Sequence, residues 1–450
     1  MIRYDKGKNS MLRIKDSSSE KYIEMNDEKI SIYNCGPTVY NDVHIGNVRP
    51  LITFDVLYRY LKKQNKPVIY VHNITDVDDK IINRSIELHQ PELELADHYY
   101  HEYLKIVDSL NVLRMDHLPK VSDNIDGIID FVGKLIKAKH AYVVDGDVYF
   151  DIKSIDNYGS VSHQKIDMLL EGVRKDVDEK KKFALDFALW KKTDKGINWV
   201  SPWNDHGRPG WHTECVYLIN KYIGKQTVIH GGGVDLKFPH HENENAQNMA
   251  LNNVGLSKCW MHVGHVNIDG KKMSKSLNNF ILAKDMLERY DANTIRWFFF
   301  QTQYASPLNF SYENLEKSKN EIIKIFKTIN NALISLFSNK IEFKYDANAK
   351  LSESFIAAAD NDLDLPNMVT VIWEYVKNLP NLIRNKKFDE LSDSINAIRN
   401  MLEVLGIKYL DPLKDSEIRN LISQWVKAME NKDYKVADAI RKQLNEKNIL

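Results

Sequence analysis

The sequence predicts an α/β fold: a Rossmann-like, parallel-sheet catalytic domain split by an insertion and followed by an all-helical C-terminal domain. Three observations predict it. Residues 29–73 read as strand, loop, helix, strand; a second strand-rich stretch resumes near Val228; and beyond Asn309 the periodicity is helical. From about Pro119 to Trp203 the pattern is irregular and reads as an insertion between two halves of one fold. A chain of 450 residues is also too long for one core.

Ser31-Ile32-Tyr33-Asn34 is a short strand broken by Cys35-Gly36-Pro37. After a loop with His44 and Gly46, the residues Leu51, Phe54, Leu57 and Leu61 recur at helical spacing, which predicts a helix with one buried stripe. Val68-Ile69-Tyr70-Val71 is the next strand. Such a βαβ unit belongs to a parallel sheet, whose ligand sits at the carboxyl ends of the strands. His44 and Gly46 fall in that crevice. In the insertion, Val148-Tyr149-Phe150 is one strand-like run and Glu179-Lys180-Lys181-Lys182 a charged one. The second half runs through Val228-Ile229-His230, Gly231-Gly232-Gly233 and a short strand near Trp260-Met261-His262-Val263, and Asp269-Gly270 signals a hairpin turn. Further on, Ile322, Phe326, Ile329 and Leu333 form a helical stripe, Pro366 and Pro380 punctuate further helices, and Asp433 to Leu444 is a last amphipathic one. The expected divisions are 11–118 and 204–270 for the two halves of the nucleotide fold and 119–203 for the insertion. A loop and linker take 271–312, a helical bundle 313–410, and a helical subdomain 411–450.

Composition excludes several classes. Hydrophobic content of 43% and charged content of 28% are those of a soluble protein. No stretch approaches the ~20 apolar residues of a membrane span, and no apolar run follows the early charges Arg3, Lys6 and Lys8. Sixty-two basic against 62 acidic residues argue against indiscriminate nucleic-acid binding but leave room for a local basic face. Three cysteines (Cys35, Cys215, Cys259) make no disulfide scaffold, so a reducing cytoplasm is the expected location.

Four groups of residues carry chemistry. Lys272-Met273-Ser274-Lys275-Ser276 suits a loop closing over pyrophosphate, with Lys275 contacting the transition-state phosphates and Lys272 supporting it; a solvated basic loop is the plain alternative. His44-Ile45-Gly46-Asn47 follows a strand and opens a helix whose N-terminal amides favour phosphate, and Gly46 lets a nucleotide approach the backbone. Together these two motifs suit one polyanion, the triphosphate of ATP. Gly231-Gly232-Gly233 implies a bend or a close ligand, with an ordinary turn as the alternative, and Asp235 is placed to accept from ribose hydroxyls. His240 and Glu244, at i and i+4, share one face if helical and offer a nitrogen and an oxygen to one ion. Cys35 and Cys215 are candidates to complete a zinc set, buried thiols being the alternative, and Cys259 reads as core.

The chain resembles the cysteinyl-tRNA synthetases, members of the class I aminoacyl-tRNA synthetases. The resemblance runs from about Met11 to the C-terminus. It is carried by Cys35-Gly36-Pro37-Thr38-Val39-Tyr40 with His44-Ile45-Gly46-Asn47, by Asn73-Ile74-Thr75-Asp76-Val77-Asp78-Asp79-Lys80, and by Gly207-Arg208-Pro209-Gly210-Trp211-His212 with Cys215. His230-Gly231-Gly232-Gly233-Val234-Asp235-Leu236, Phe238-Pro239-His240-His241-Glu242-Asn243-Glu244 and the lysine-serine motif complete it. The resemblance implies one zinc ion held by Cys35, Cys215, His240 and Glu244, with the substrate thiol as an additional ligand. A metal-bound thiol is deprotonated and serine's hydroxyl is a poorer partner, so no separate editing site is needed. It also implies a cysteine pocket of Gly36, Thr75, Trp211 and His230, catalytic roles for His44, Asn47, Lys272 and Lys275, and ATP contacts from His44, Gly46, Gly231, Gly232, Gly233, Asp235 and Lys275. ATP would arrive with Mg²⁺, the acyl group would pass to the 3′-terminal adenosine of cysteine tRNA, and the enzyme would act as a monomer. The helical domain would bind the anticodon stem, with Lys317-Ser318-Lys319 and Arg384-Asn385-Lys386-Lys387 as candidate basic patches. The alternative is a cysteine ligase of the mycothiol type, acting on an amino-sugar. Three departures stand out: Asn47 replaces the commoner histidine, residues precede the family's start, and the chain stops short of the family's usual tail.

Overall fold

The structure, a computed structural model, describes residues 11–164, 180–268, 270–273 and 280–450. Glu179, Asp269, Ser274, Lys275 and Ser276 lie outside these.

The chain opens with an antiparallel pair, β1 (Arg13–Lys15) and β2 (Tyr22–Glu24). β3 (Ile30–Asn34), α1 (Ile45–Lys63) and β4 (Val68–His72) then form the expected parallel βαβ unit. α1 is buried around most of its circumference, not along one stripe. The sheet covers one side and residues 111–116 cover another, where Asp55 accepts from Leu113 N at 2.8 Å and Tyr58 donates to Asp116 at 3.0 Å. α2 (Asp79–Leu88), α3 (Glu92–Ser109) and α4 (Ile125–Lys137) follow.

The stretch read as irregular is in fact ordered: β5 (Ala141–Val144), β6 (Asp147–Phe150), β7 (Phe187–Lys192), β8 (Trp199–Ser201) and β9 (Asn204–Pro209) form an antiparallel sheet ordered β5-β6-β7-β9-β8. β6 contains the run Val148-Tyr149-Phe150 that the sequence marks as a strand; the others escaped detection because β8 is only three residues long and β9 (Asn204–Pro209) is polar and carries glycine and proline. Next come α5 (Trp211–Tyr222), β10 (Thr227–Gly233), α6 (Glu242–Asn252), β11 (Ser257–Val263), β12 (Val266–Ile268), β13 (Lys271–Lys272), α7 (Ala283–Arg289), α8 (Ala292–Phe299) and β14 (Leu308–Phe310). The central sheet is parallel and ordered β11-β10-β3-β4. β12 and β13 pair as a hairpin with Asn267 opposite Lys272 and Gly270 at φ +74°, as the turn signal predicts. The three glycines continue β10, and they bend no chain there. At Gly231 a β-carbon would fall 1.9 Å from the carbonyl oxygen of Met261 on β11, so close approach of the neighbouring strand excludes any side chain.

The chain divides into two compact units, 11–286 with 305–309, and 287–304 with 310–450. In the first, one apolar core joins Tyr33 and Val71 of the parallel sheet, Val132 of α4, Phe150 and Leu189 of the inserted sheet, and Val216 of α5. The insertion therefore shares the core of the nucleotide fold. The second unit holds α9 (Tyr312–Ser338), α10 (Glu353–Asp360), α11 (Leu365–Arg384), α12 (Phe388–Val404), α13 (Ser416–Glu430) and α14 (Tyr434–Glu446). Ser311 and Asp433 cap α9 and α14 through their side-chain oxygens. Pro366 starts α11 as expected, but Pro380 lies inside that helix, on its exposed side, and does not end it.

Candidate active site

A cavity of about 410 Å³ opens beyond the carboxyl ends of β3, β4 and β10. Physical necessity puts it there: strand ends leave backbone groups and loops free to face a ligand. His44, Gly46 and Asn47 line it, as do Gly233 and Asp235 and the cluster of Cys35, Gly36, Thr75, Trp211, Cys215 and His240. Gly231, Gly232, His230 and Glu244 lie behind this lining, the last two fully buried. Lys272 is placed by its backbone in β13, and Lys275 lies outside the described residues.

The two expected nucleotide motifs meet. His44 stands at the N-cap of α1, and its N–H donates to Asn47 Oδ1 at 3.2 Å, so asparagine serves the helix start without carrying charge. Ile45 N donates to Ile281 O at 3.0 Å and Ala283 N to Val43 O at 2.9 Å, which pins the first motif to the chain that follows the lysine-serine loop. Met273 of that loop lines the same cavity, and a β-carbon on Gly46 would lie only 3.2 Å from its methyl group.

Across the cavity, Cys35 follows β3, Cys215 sits in the second turn of α5, and His240 and Glu244 flank the start of α6. Their ligand atoms, one from each, all lie within 4.8 Å of one another. Cys35 Sγ is 3.7 Å from Cys215 Sγ and 3.8 Å from Glu244 Oε1; His240 Nε2 is 3.8 Å from Cys215 Sγ and 2.7 Å from Glu244 Oε1. The thiols are too far apart for a disulfide, whose bond is ~2.05 Å. Their separation matches the ~3.8 Å edge of a tetrahedron built on metal–sulfur bonds of ~2.3 Å. The donor set and this spacing fit zinc. A second grouping substitutes His230 and His241 for Cys215 and His240. It is the poorer set, because it offers one thiol where the first offers two, and neither His230 nor His241 lines the cavity as Cys215 and His240 do.

The cluster already carries one positive charge: against its burial, Glu244 and then Cys215 raise the His240 imidazole to about 10, a proton that metal binding would have to displace. Burial, then the neighbouring Cys215 and Glu244, push the Cys35 thiol well above its ordinary value. Burial also opposes ionisation of Cys215, but hydrogen bonds from Cys35 and His240 bring it down to about 7. The pair therefore gives up one proton readily and holds the second, which a bound cation would release. For Glu244, burial is outweighed by His240 and His230, which hold its carboxyl well below the usual range.

Sequence reasoning missed the residues that hold this lining. Asn73 accepts from Gly36 N at 2.9 Å and donates to Thr75 Oγ1 at 3.2 Å; Thr75 in turn donates to Glu214 Oε2 at 2.8 Å. Burial first, then Cys215, pushes the Glu214 carboxyl well above the usual range. Trp211 stacks on His240 with ring centroids 4.0 Å apart. His230 does not reach the cavity; it braces Glu244 from behind while its Nδ1 faces Tyr33 O at 3.1 Å. The adjacent His240-His241 pair was the one available signal for His241.

Comparison with known proteins agrees with this geometry. Residues 21–320 match the family described as tRNA synthetases class I (C) catalytic domain. The cysteine–tRNA ligase of Ureaplasma parvum serovar 3 is 50% identical over 434 residues, covering 96% of this chain and 99% of that protein. The chain belongs to the class I cysteine–tRNA ligases. The enzyme of the same name from Bacillus licheniformis is 40% identical, with 96% and 94% covered. Among solved structures, the methionyl-tRNA synthetase of Mycobacterium tuberculosis in complex with methionyl-adenylate superposes with a TM-score of 0.59 at 12% identity, over 92% of this chain and 94% of that one. That likeness speaks for the fold alone. Among the described residues no helix is long and apolar enough to cross a membrane.

Proposed function

We propose that this chain activates L-cysteine with ATP to cysteinyl-adenylate and pyrophosphate, then transfers the acyl group to the 3′-terminal adenosine of cysteine tRNA. The observation that carries this is the pair of thiols, 3.7 Å apart, lining the same cavity as the helix start that suits phosphate. Cys35, Cys215, His240 and Glu244 would hold one zinc ion, which when bound supplies a soft Lewis acid that prefers thiolate sulfur to hydroxyl oxygen.

The chain's own residues do the positioning. The N-terminal amides of α1 with His44 and Asn47 stabilise charge on the phosphates as the substrate carboxylate attacks the α-phosphorus, and Lys272 and Lys275 neutralise the departing pyrophosphate with Mg²⁺. Asp235 accepts from the ribose and Gly46 and Gly231–Gly233 keep the nucleotide's path clear. Gly36 and Thr75, held by Asn73 and Glu214, orient the amino acid; Trp211 covers it; His230 acts through Glu244. The helical unit binds the anticodon stem, and the enzyme works as a cytoplasmic monomer, in keeping with three free cysteines.

Cysteine-dependent ATP–pyrophosphate exchange, followed by aminoacylation of cysteine tRNA, tests the reading. Exchange without tRNA charging would point to a ligase with a small amine acceptor. Absence of exchange with zinc-loaded enzyme would overturn adenylate formation itself.

A further inference from the structure

His72 ends β4, Tyr103 sits in α3, and both are buried in the wall of the catalytic cavity. The contacts of this pair fix which atom carries each proton. His72 Nδ1 faces Asn34 O at 2.9 Å; a carbonyl oxygen only accepts, so Nδ1 holds the ring's hydrogen. Burial pulls the imidazole down to about 4, so at neutral pH the ring is uncharged and its Nε2 accepts. The Tyr103 hydroxyl, 2.7 Å from Nε2, therefore donates to it. With its hydrogen spent there, the hydroxyl turns only lone pairs toward the cavity, and among the described residues no donor reaches them. Donation to the imidazole also polarises the oxygen and strengthens it as an acceptor.

The position of this oxygen identifies the donor it suits. Gly36 lies against the same imidazole: a β-carbon there would be 3.3 Å from His72 Nε2 and would collide with Asn73 O. Gly36 follows Cys35, so the Tyr103 oxygen stands on the side of the cavity where the thiols gather. The neighbouring polar groups are engaged within the protein. Gly36 N donates to Asn73 Oδ1, and Thr75 Oγ1 both accepts from Asn73 and donates to Glu214. Tyr103 brings the unspent acceptor. Cysteine's amine branches from the carbon beside the one that carries its sulfur, so a thiol placed at Cys35 and Cys215 brings the amine to this wall. At neutral pH that amine is an ammonium, all donor, and it needs acceptors once water is displaced.

Resting on the proposed reaction, we propose that Tyr103 reads the α-ammonium group of the substrate cysteine, its hydroxyl oxygen accepting from the ammonium while its hydrogen stays on His72. Thiol and amine are then held at separate points. The carboxylate is left to face the phosphates at the start of α1, which is the orientation that adenylate formation needs.

The test uses full-length, zinc-loaded enzyme and cysteine-dependent pyrophosphate exchange. The competitor is 3-mercaptopropionate, which keeps cysteine's thiol and carboxylate but lacks its amine. Tyr103→Phe keeps the ring and removes the oxygen. Its KM for cysteine should rise about tenfold or more, as for one lost charge-assisted hydrogen bond. KM for ATP and the inhibition constant of 3-mercaptopropionate should both stay within about twofold of the parent. Tyr103→Met, a flexible apolar side chain that fills the same space, should give the same split and serves where the phenylalanine variant folds poorly. Equal weakening toward cysteine and 3-mercaptopropionate would mean that Tyr103 only shapes the pocket and would overturn the proposal. An unchanged KM for cysteine would overturn it as well. If the parent enzyme shows no cysteine-dependent exchange, it is the proposed function that fails, and the two failures are thereby distinguished.

Discussion

Replacing Arg49 should damage both stability and ATP use, and the structure gives the size of the effect. Arg49 lies in α1, 1% exposed, and its Nη1 donates to Gly264 O at 2.7 Å, His265 O at 3.2 Å and Ser306 O at 2.7 Å. Burial pulls the guanidinium down to about 10, so it remains charged at neutral pH. Gly264 and His265 line the catalytic cavity and lead directly into β12. The side chain thus ties the helix that begins with His44 to the wall that precedes the lysine-serine loop. Arg49→Met keeps the aliphatic stem but strands these carbonyls without a donor. Each charge-assisted bond is worth about 1.5–3 kcal/mol, and relief of the buried charge offsets part of the loss, so a net cost of about 3–5 kcal/mol is expected. For a unit of this size that lowers Tm by roughly 10 °C. Urea unfolding followed by tryptophan fluorescence measures the first effect, and pyrophosphate exchange at varied ATP the second. KM for ATP should rise while zinc content stays at that of the parent. A variant within about 1 kcal/mol of the parent, with unaltered KM for ATP, would refute the reasoning.

Three further outcomes are expected. Cys215→Ser should lower zinc content and raise KM for cysteine by roughly 100-fold or more, while KM for ATP moves little; equal losses in both would make the metal merely structural. Asn47→Ala removes the oxygen that accepts from His44 N and should cost about 1 kcal/mol in urea unfolding. His72 is buried between Asn34 O and the Tyr103 hydroxyl, and burial pulls its imidazole down to about 4. The unfolded chain, with an ordinary histidine near 6.5, takes up that proton first, so stability is intact above about pH 7 and is lost as pH falls toward 4. The loss should reach about 2 kcal/mol at pH 5, and His72→Gln should abolish that part of the pH dependence in Tm measurements.

What could be read in advance follows from what each residue needs. The βαβ unit was legible because α1 and β4 carry their own periodicity; spacing supplied His240 with Glu244 and left Cys35 and Cys215 as candidates, and it was the family resemblance that joined the four residues, which the structure brings within 4.8 Å of one another. Arg49 and Glu214 were not legible. A charged residue in a helix is normally solvated, and only the tertiary partners, more than 200 residues away for Arg49 and 139 away for Glu214, reveal that these two are buried. Of the inserted sheet only β6 announced itself, because the three-residue β8 and the polar β9 have pairing partners but no strand-like sequence of their own.

The sheet order explains why amino-acid selection and phosphate chemistry share one place. β3 leads outward to β4 and β10 leads outward to β11, so the crossover direction reverses between the adjacent strands β3 and β10. A crevice opens at such a reversal whatever the sequence. Cys35 leaves β3 there, its N–H bonded to Gly231 O at 3.0 Å, while His240 and Glu244 follow β10 and Cys215 precedes it. One member of the proposed zinc set therefore comes from the first half and three from the second. Neither half alone offers the four-donor set, so zinc affinity should depend on the two halves being docked. Weakening the β3–β10 pairing, for instance with Ile229→Pro, should then release zinc before the inserted sheet unfolds. Retention of zinc in a variant whose central sheet has opened would show that the site assembles without the crevice.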